Sequence, residues 1–408
     1  MKFSRRYFIK TLYGAGAAAF FPGKSHAGTA PDELFVSSIF TPPGGFTSGV
    51  EGPACDIDGN VYAVNYNHQG TIGKVTPDGI AEVFVELPEG STGNGIRFDS
   101  RGDMLIADYT GHNILKVDMV TRAITVHAHE PSMNQPNDLA ITADDIIFAS
   151  DPDWKAGTGR VWRIDSDGTA VVLDSFTGTA NGIEVAYGDS VLYVNTSNTA
   201  TVWAYDLGAG GSISNRRLLV DFPDYGTDGM RCDIGGNLYV TRTSKGTVAK
   251  VSPDGEVIRE IAMTGRIASN IAFGGPDGRT CYVTMADKGN IETFRVDSPG
   301  RSWQLCRNRM TFAESGETGG PYPFSVVGNY PNPFNAATAI EYRVAEGTKI
   351  ELSVYNMLGQ RITTLARGFH PPGRYTARWN AGAVSSGVYF VRLSGGNRAV
   401  KHAMTVVK

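Results

Sequence analysis

Asn181-Gly-Ile-Glu-Val-Ala-Tyr-Gly-Asp-Ser-Val-Leu-Tyr-Val194 and Asp228-Gly-Met-Arg-Cys-Asp-Ile-Gly-Gly-Asn-Leu-Tyr-Val240 are two copies of one unit. In each, an acidic or amide residue stands first, a short apolar strand follows, a Gly/Asp turn reverses the chain, and a second strand leaves. Four further copies open at Glu51, Asn94, Asn137 and Asn270, so the six openings are separated by 43, 43, 44, 47 and 42 residues. A repeat of roughly 40–45 residues built from short alternating strands predicts a β-propeller with one four-stranded blade per repeat. The expected fold is all-β: a six-bladed β-propeller closed by an N-terminal strand and followed by a small β-sandwich.

Working outward, five repeats carry their own fourth strand, but none follows Val296. Leu34–Thr41 parallels the outer strand of the fourth repeat and is expected to close the sixth, which leaves no open sheet edge in the ring. Because the chain reverses at every strand, the six openings and each loop between second and third strands share one face. That face should carry His68, Tyr109, His112, Asn198, Lys245 and a long Asp151-to-Gly159 loop with Trp154. The Asp-Gly turns near Asp58, Asp103 and Asp277 belong to the opposite face as hairpin chemistry.

The expected domains are a signal peptide (1–27), the propeller (28–310), a linker (311–328) and a C-terminal β-sandwich (329–408). Ser4-Arg-Arg-Tyr-Phe-Ile-Lys10 is similar to the twin-arginine export motif, and a short apolar stretch and Ser25-His-Ala27 follow it. That stretch, about a dozen residues, is shorter than the roughly 20 a membrane span requires, so the mature chain is expected to be exported without a transmembrane segment. With 19% charged residues and a formal charge of −4, no basic face is available for nucleic acid. Of the four cysteines, Cys55 and Cys232 read as small buried residues, and Cys281 with Cys306 is the pairing to test.

The six openings form a ring of oxygen donors: carboxylates at Glu51 and Asp228, amides at Asn94, Asn137, Asn181 and Asn270. Hard oxygen ligands without His or Cys suit Ca²⁺ or Mg²⁺. Taken singly, Asn-Gly and Asp-Gly are turn dipeptides, but Glu51-Gly-Pro has no such preference.

Glu51-Gly-Pro, Pro136-Asn-Asp-Leu with Ser150-Asp-Pro, Ala180-Asn-Gly-Ile and Thr227-Asp-Gly-Met, followed by Gly236-Asn-Leu-Tyr-Val, carry a family resemblance. Together they resemble the senescence marker protein, gluconolactonase and luciferin-regenerating-enzyme-like family. The resemblance implies that Glu51, Asn137, Asn181 and Asp228 hold a divalent metal, usually calcium, and that Asp228 doubles as general base. It also implies hydrolysis of a small-molecule lactone or related ester. Asn94, Asn270, His68, His112, Tyr109 and Trp154 are the expected substrate-binding residues. Where sugar lactonases of the family often place an arginine, this chain has Met133-Asn-Gln. A non-catalytic propeller binding a ligand or partner is an alternative, as is a phosphotriesterase-like hydrolase.

Asn329-Tyr-Pro-Asn-Pro-Phe-Asn335, Val354-Tyr-Asn-Met-Leu-Gly-Gln360, Gly373-Arg-Tyr-Thr-Ala-Arg-Trp379 and Ser386-Gly-Val-Tyr-Phe-Val-Arg392 resemble the type IX secretion C-terminal sorting domain. This implies export machinery as a partner and a periplasmic, cell-surface or secreted location.

Overall fold

The computed structural model describes residues 33–314, 324–344, 347–371, 373–396 and 398–408. The expected signal peptide lies outside them. Residues 34–295 form six four-stranded antiparallel sheets whose first strands are Ala54–Cys55, Gly93–Phe98, Leu139–Ile141, Ala180–Val185, Met230–Cys232 and Ala268–Gly274. Each begins within three residues of one of the repeat openings. These six strands contact one another in cyclic order, the last returning to the first, so the sheets surround a central channel.

In the first five sheets the strand order follows the chain. The sixth runs Ala268–Gly274, Thr280–Met285, Asn290–Arg295 and then Ser38–Ile39, with Ser38 opposite Thr293 and Ile39 opposite Glu292. The closing ladder is shorter than Leu34–Thr41, because Phe35 takes a left-handed backbone (φ 66°) that interrupts the extended run. Leu34 still bridges Arg295, and the Phe40 and Thr41 N–H groups donate to the Ile291 carbonyl. Apolar side chains fill the space between successive sheets. Tyr62, Ile72 and Phe84 of the first, for example, pack against Ile96, Met104 and Leu115 of the second.

Two elements differ from the sequence reading. Asp151 to Gly159 is no long loop: Asp151, Pro152 and Asp153 pair with Arg160, Gly159 and Thr158, leaving a short turn that carries Trp154. Pro152 fits there because the neighbouring inner strand ends opposite Ala149 and asks for no N–H from it. The expected linker begins inside a helix, Arg301–Glu314, and its end lies in a strand, Ser325–Tyr330. The helix escapes a sequence scan because it has no acidic residue in its first turn and no basic residue in its last. It is anchored by Trp303, whose indole packs where a side chain on Gly278 would otherwise lie.

Beyond it, Ser325–Tyr330, Ala337–Val344 and Gly373–Asn380 form one antiparallel sheet. Thr348–Tyr355, Arg361–His370, Gly387–Gly395 and Arg398–Val406 form a second. The two enclose one core containing Tyr342, Leu352, Val354, Trp379 and Val391. Arg343 pairs with Asp144 at 3.3 Å, and the Tyr187 hydroxyl donates to the Val327 carbonyl at 3.3 Å. Asp144 and Tyr187 lie in turns at the end of the ring opposite the openings, so the C-terminal sheets leave the openings uncovered.

Candidate active site

The structure assigns the Gly after four openings a role other than turn formation. Gly95 and Gly182 lie within strands, and a side chain on Gly52, Gly95, Gly182 or Gly229 would come within 3.0 Å of the next opening around the ring. Gly95 and Gly229 also donate across the seam, to the Asn137 and Ser269 carbonyls at 2.8 and 2.7 Å. The glycines thus let neighbouring inner strands approach closely enough for the leading residues to converge.

The convergence is visible in their hydrogen bonds. The Glu51 carboxylate accepts from the Gly52 N–H at 2.9 Å and from the Asn270 side chain. Asp228 accepts from the Gly229 N–H and from Asn181, whose amide nitrogen also donates to the Ser197 hydroxyl at 2.9 Å. Asn137 donates its N–H to the Ser150 carbonyl and accepts the Gly95 N–H on its own carbonyl, so its backbone is fixed from both sides. Asn270 receives the Ile271 N–H on its own oxygen at 2.9 Å, which fixes the amide that donates to Glu51.

Below this ring the channel is charged. Where four other sheets have Gly, the third has Asp138, fully buried and bonded to Arg97 at 3.2 Å and Arg231 at 3.0 Å. Glu184 lies near the same two arginines, at 3.7 and 3.8 Å, and near Arg301 of the helix at 3.6 Å. Arg301 also meets Asp189 at 2.5 Å. The sequence reading missed this layer, yet its signal was present: Arg97, Glu184 and Arg231 each stand three residues after an opening, inside an apolar strand.

Burial, with these charges, sets the protonation of the ring. Burial, followed by the Asp138 charge, pushes Glu51 up to about 7; burial, followed by the Glu51 charge, pushes Asp228 well above the usual carboxylate range. Asp138 moves the other way: burial opposes its ionisation, but Arg231 and Arg97 hold it below the usual range. When all are ionised, the five carboxylates Glu51, Asp138, Glu184, Asp189 and Asp228 face the three guanidiniums Arg97, Arg231 and Arg301, so two negative charges are unmatched. The Asn94 Oδ1 atom is buried and accepts no hydrogen bond. Unmatched charge of two beside an orphaned buried oxygen fits a hard divalent cation. Among the described residues no group of three His, Cys, Asp or Glu is placed to hold a metal, so amide oxygens would have to complete such a shell.

Residues 48–287 match the model of the SMP-30/gluconolactonase/LRE-like region. The chain belongs to this family. Residues 329–408 match the secretion system C-terminal sorting domain, which points to export by type IX secretion to the cell surface or beyond. A gluconolactonase of Zymomonas mobilis is 27% identical over 286 residues, 61% of this chain and 79% of that protein. The pentonolactonase XacC of Haloferax volcanii is 30% identical over 152 residues, 36% of this chain and about half of that protein (52%). A structure of the calcium-binding protein regucalcin from Agrobacterium tumefaciens superposes with a TM-score of 0.54 at 21% identity, over 64% of this chain and 97% of that one. It shares the fold. No helix among the described residues is long and apolar enough to cross a membrane.

In this family member the remaining expected site residues separate into two groups. Tyr109 stays at the mouth: its N–H donates to the Thr92 carbonyl beside Asn94, and its hydroxyl receives the Trp154 indole N–H. His68 does not come to the channel, because it pairs at 3.4 Å with Glu86 on the outermost strand of its sheet. The His112 imidazole is bonded to the Met133 carbonyl at 2.6 Å and clamps that loop. No disulfide joins the described cysteines. Cys281 is buried with Tyr239 and Phe273, while Cys306 lines a small cavity with Cys55 at the far end of the channel, so the tested pairing is not formed.

The raised Glu51 carboxyl fixes the sign of a pH effect. Its pKa rises from 4.5 unfolded to about 7 folded, so its contribution is fully present below 4.5 and is lost as pH rises through 7. The loss is on the order of 3 kcal/mol. Melting curves of the metal-free chain should therefore show stability falling between pH 5 and 8 more steeply than in Glu51→Gln. Equal slopes would remove the charge argument.

Proposed function

We propose that this chain is an exported, metal-dependent hydrolase of small lactones or related esters. In this reading the six sheets are the blades of one propeller, the two C-terminal sheets form a sandwich that directs secretion, and Glu51, Asn137, Asn181 and Asp228 hold Ca²⁺. The observation that carries the reading is the pair of buried carboxyls Glu51 and Asp228, held in one ring of amides, whose ionisation would leave two negative charges unmatched. The gluconolactonase and pentonolactonase relatives supply the substrate class.

When bound, calcium supplies Lewis-acid polarisation of the substrate carbonyl and the counter-charge for Glu51 and Asp228. Asp228, oriented by Asn181, takes the proton of the attacking water. Its burial suits this task, since a carboxylate with a raised pKa is a stronger base than an exposed one. Glu51 is held by the Gly52 N–H and Asn270 and keeps its place when charged. Asn94 offers a buried oxygen that accepts no other hydrogen bond.

The test is hydrolysis of a lactone and ester panel by the full chain, before and after chelation and again after calcium is restored. We expect turnover that chelator abolishes and calcium recovers. A chain that is stabilised by calcium but hydrolyses nothing would be a binding module instead.

A further inference from the structure

Several polar side chains on the mouth loops are engaged in holding those loops. Asn134 donates to the Pro152 carbonyl at 3.1 Å, His112 binds the Met133 carbonyl, and Asn198 accepts from the Thr179 N–H at 2.9 Å. Two of the cations there are likewise paired, Arg160 with Asp151 at 2.7 Å and Lys245 with Glu260 at 3.0 Å. Three large, largely apolar side chains are left outward. Trp154 is 43% exposed, Tyr225 51% and Ile267 38%.

Their placement follows the repeat. Tyr225 stands three residues before Asp228, and Ile267 three before Asn270, in the loops that enter the channel. Ser48, Ser91, Asn134 and Gly178 occupy that register elsewhere, and Ser91 is bonded to Asp108 at 2.9 Å. The Tyr225 backbone is left-handed (φ 50°), a costly state for an aromatic residue. It is held by Arg242, which binds the Asp224 carboxylate at 2.8 Å and covers the Phe222 ring at 3.8 Å. An immobilised loop therefore presents Tyr225, while the bond to Tyr109 fixes Trp154.

We propose that the substrate carries an aryl or alkyl substituent beside its lactone or ester carbonyl, in preference to the hydroxyl-covered ring of an aldonolactone. This rests on the hydrolase reading above. Each hydroxyl of an aldonolactone loses water on entry and needs a partner, and the polar groups named here are already engaged. An apolar substituent instead covers Trp154, Tyr225 and Ile267, gaining about 25 cal/mol per Å² removed from water and the stacking that aromatic faces favour.

The experiment compares kcat/KM of the calcium-loaded full chain for δ-valerolactone, its phenyl-substituted form and glucono-δ-lactone. Calorimetric binding of 2-phenyltetrahydropyran is measured against 1,5-anhydroglucitol. We expect at least a tenfold preference for the phenyl lactone over the gluconolactone, and a phenyl-to-unsubstituted ratio that falls at least fivefold in Trp154→Ala and in Tyr225→Ala. A preference for gluconolactone, or an unchanged ratio in both variants, would overturn the inference and leave the hydrolase reading intact. If no lactone is hydrolysed, the hydrolase reading fails and calorimetry decides: tighter binding of the phenyl ether sustains the apolar mouth, and tighter binding of the polyol, or equal binding, overturns it.

Discussion

Asp228→Asn should lower kcat for lactone hydrolysis by roughly 10²–10⁴-fold, the loss expected when a positioned general base is removed. The substitution preserves shape and keeps one oxygen where Asp228 has two. A cation should still bind, more weakly, because one of the unmatched charges is gone. The strand itself should be undisturbed, since the Asp228 N–H bonds to the Thr241 carbonyl at 3.0 Å and the Asp228 carbonyl accepts from the Asn195 side-chain amide, neither bond using the Asp228 side chain. The decisive measurement is therefore kcat at saturating calcium, with binding followed separately by calorimetry. If the rate returns to that of the parent chain once calcium is saturating, Asp228 is a ligand alone and the base must be sought elsewhere. A persistent deficit with calcium bound assigns it both roles.

The sequence displayed the repeat unusually well because its spacing and its leading residue are both set by geometry. The openings at Glu51 through Asn270 recur because each stands within three residues of the start of a strand on the same axis, and the lack of a fourth strand after Val296 points to the closing one. What the repeat did not disclose was why Gly follows four openings. Asn-Gly and Asp-Gly favour turns when isolated, and only the neighbour across the seam shows that Gly95 and Gly182 make room for it. Loop side chains were harder still. His68 and His112 occupy equivalent loop positions in sequence, yet one reaches an outer strand and the other clamps Met133. Nothing local distinguishes them, because the partner that decides is Glu86 in one case and a carbonyl of the following sheet in the other. The helix carrying Arg301 was lost for a related reason: its stabilising contacts, with Asp189, Glu184 and Gly278, all come from other sheets.

Arg231→Met should cost about 3–5 kcal/mol of folding stability, because it strands buried carboxylates that it now compensates. Asp138 would keep only Arg97, at 3.2 Å, and Glu184 would keep Arg97 and Arg301 at 3.7 and 3.6 Å. Two accounts of this residue can be separated. If Arg231 merely fills space, methionine of similar length should substitute at small cost and calcium should rescue the variant no more than the parent. If its charge is what matters, the loss leaves the channel more negative by one, so calcium should raise the melting temperature of Arg231→Met by more than it raises that of the parent chain. Asp138→Asn added to Arg231→Met removes one of the stranded charges, and the pair should then be non-additive by more than 1 kcal/mol, as expected for groups in one ion-pair network. Additive losses with equal calcium shifts would reduce the layer beneath the ring to packing. The opposite outcome would mean that the arginines limit how much negative charge the ring can accumulate, so that Glu51 and Asp228 ionise together only when a cation is present to receive them.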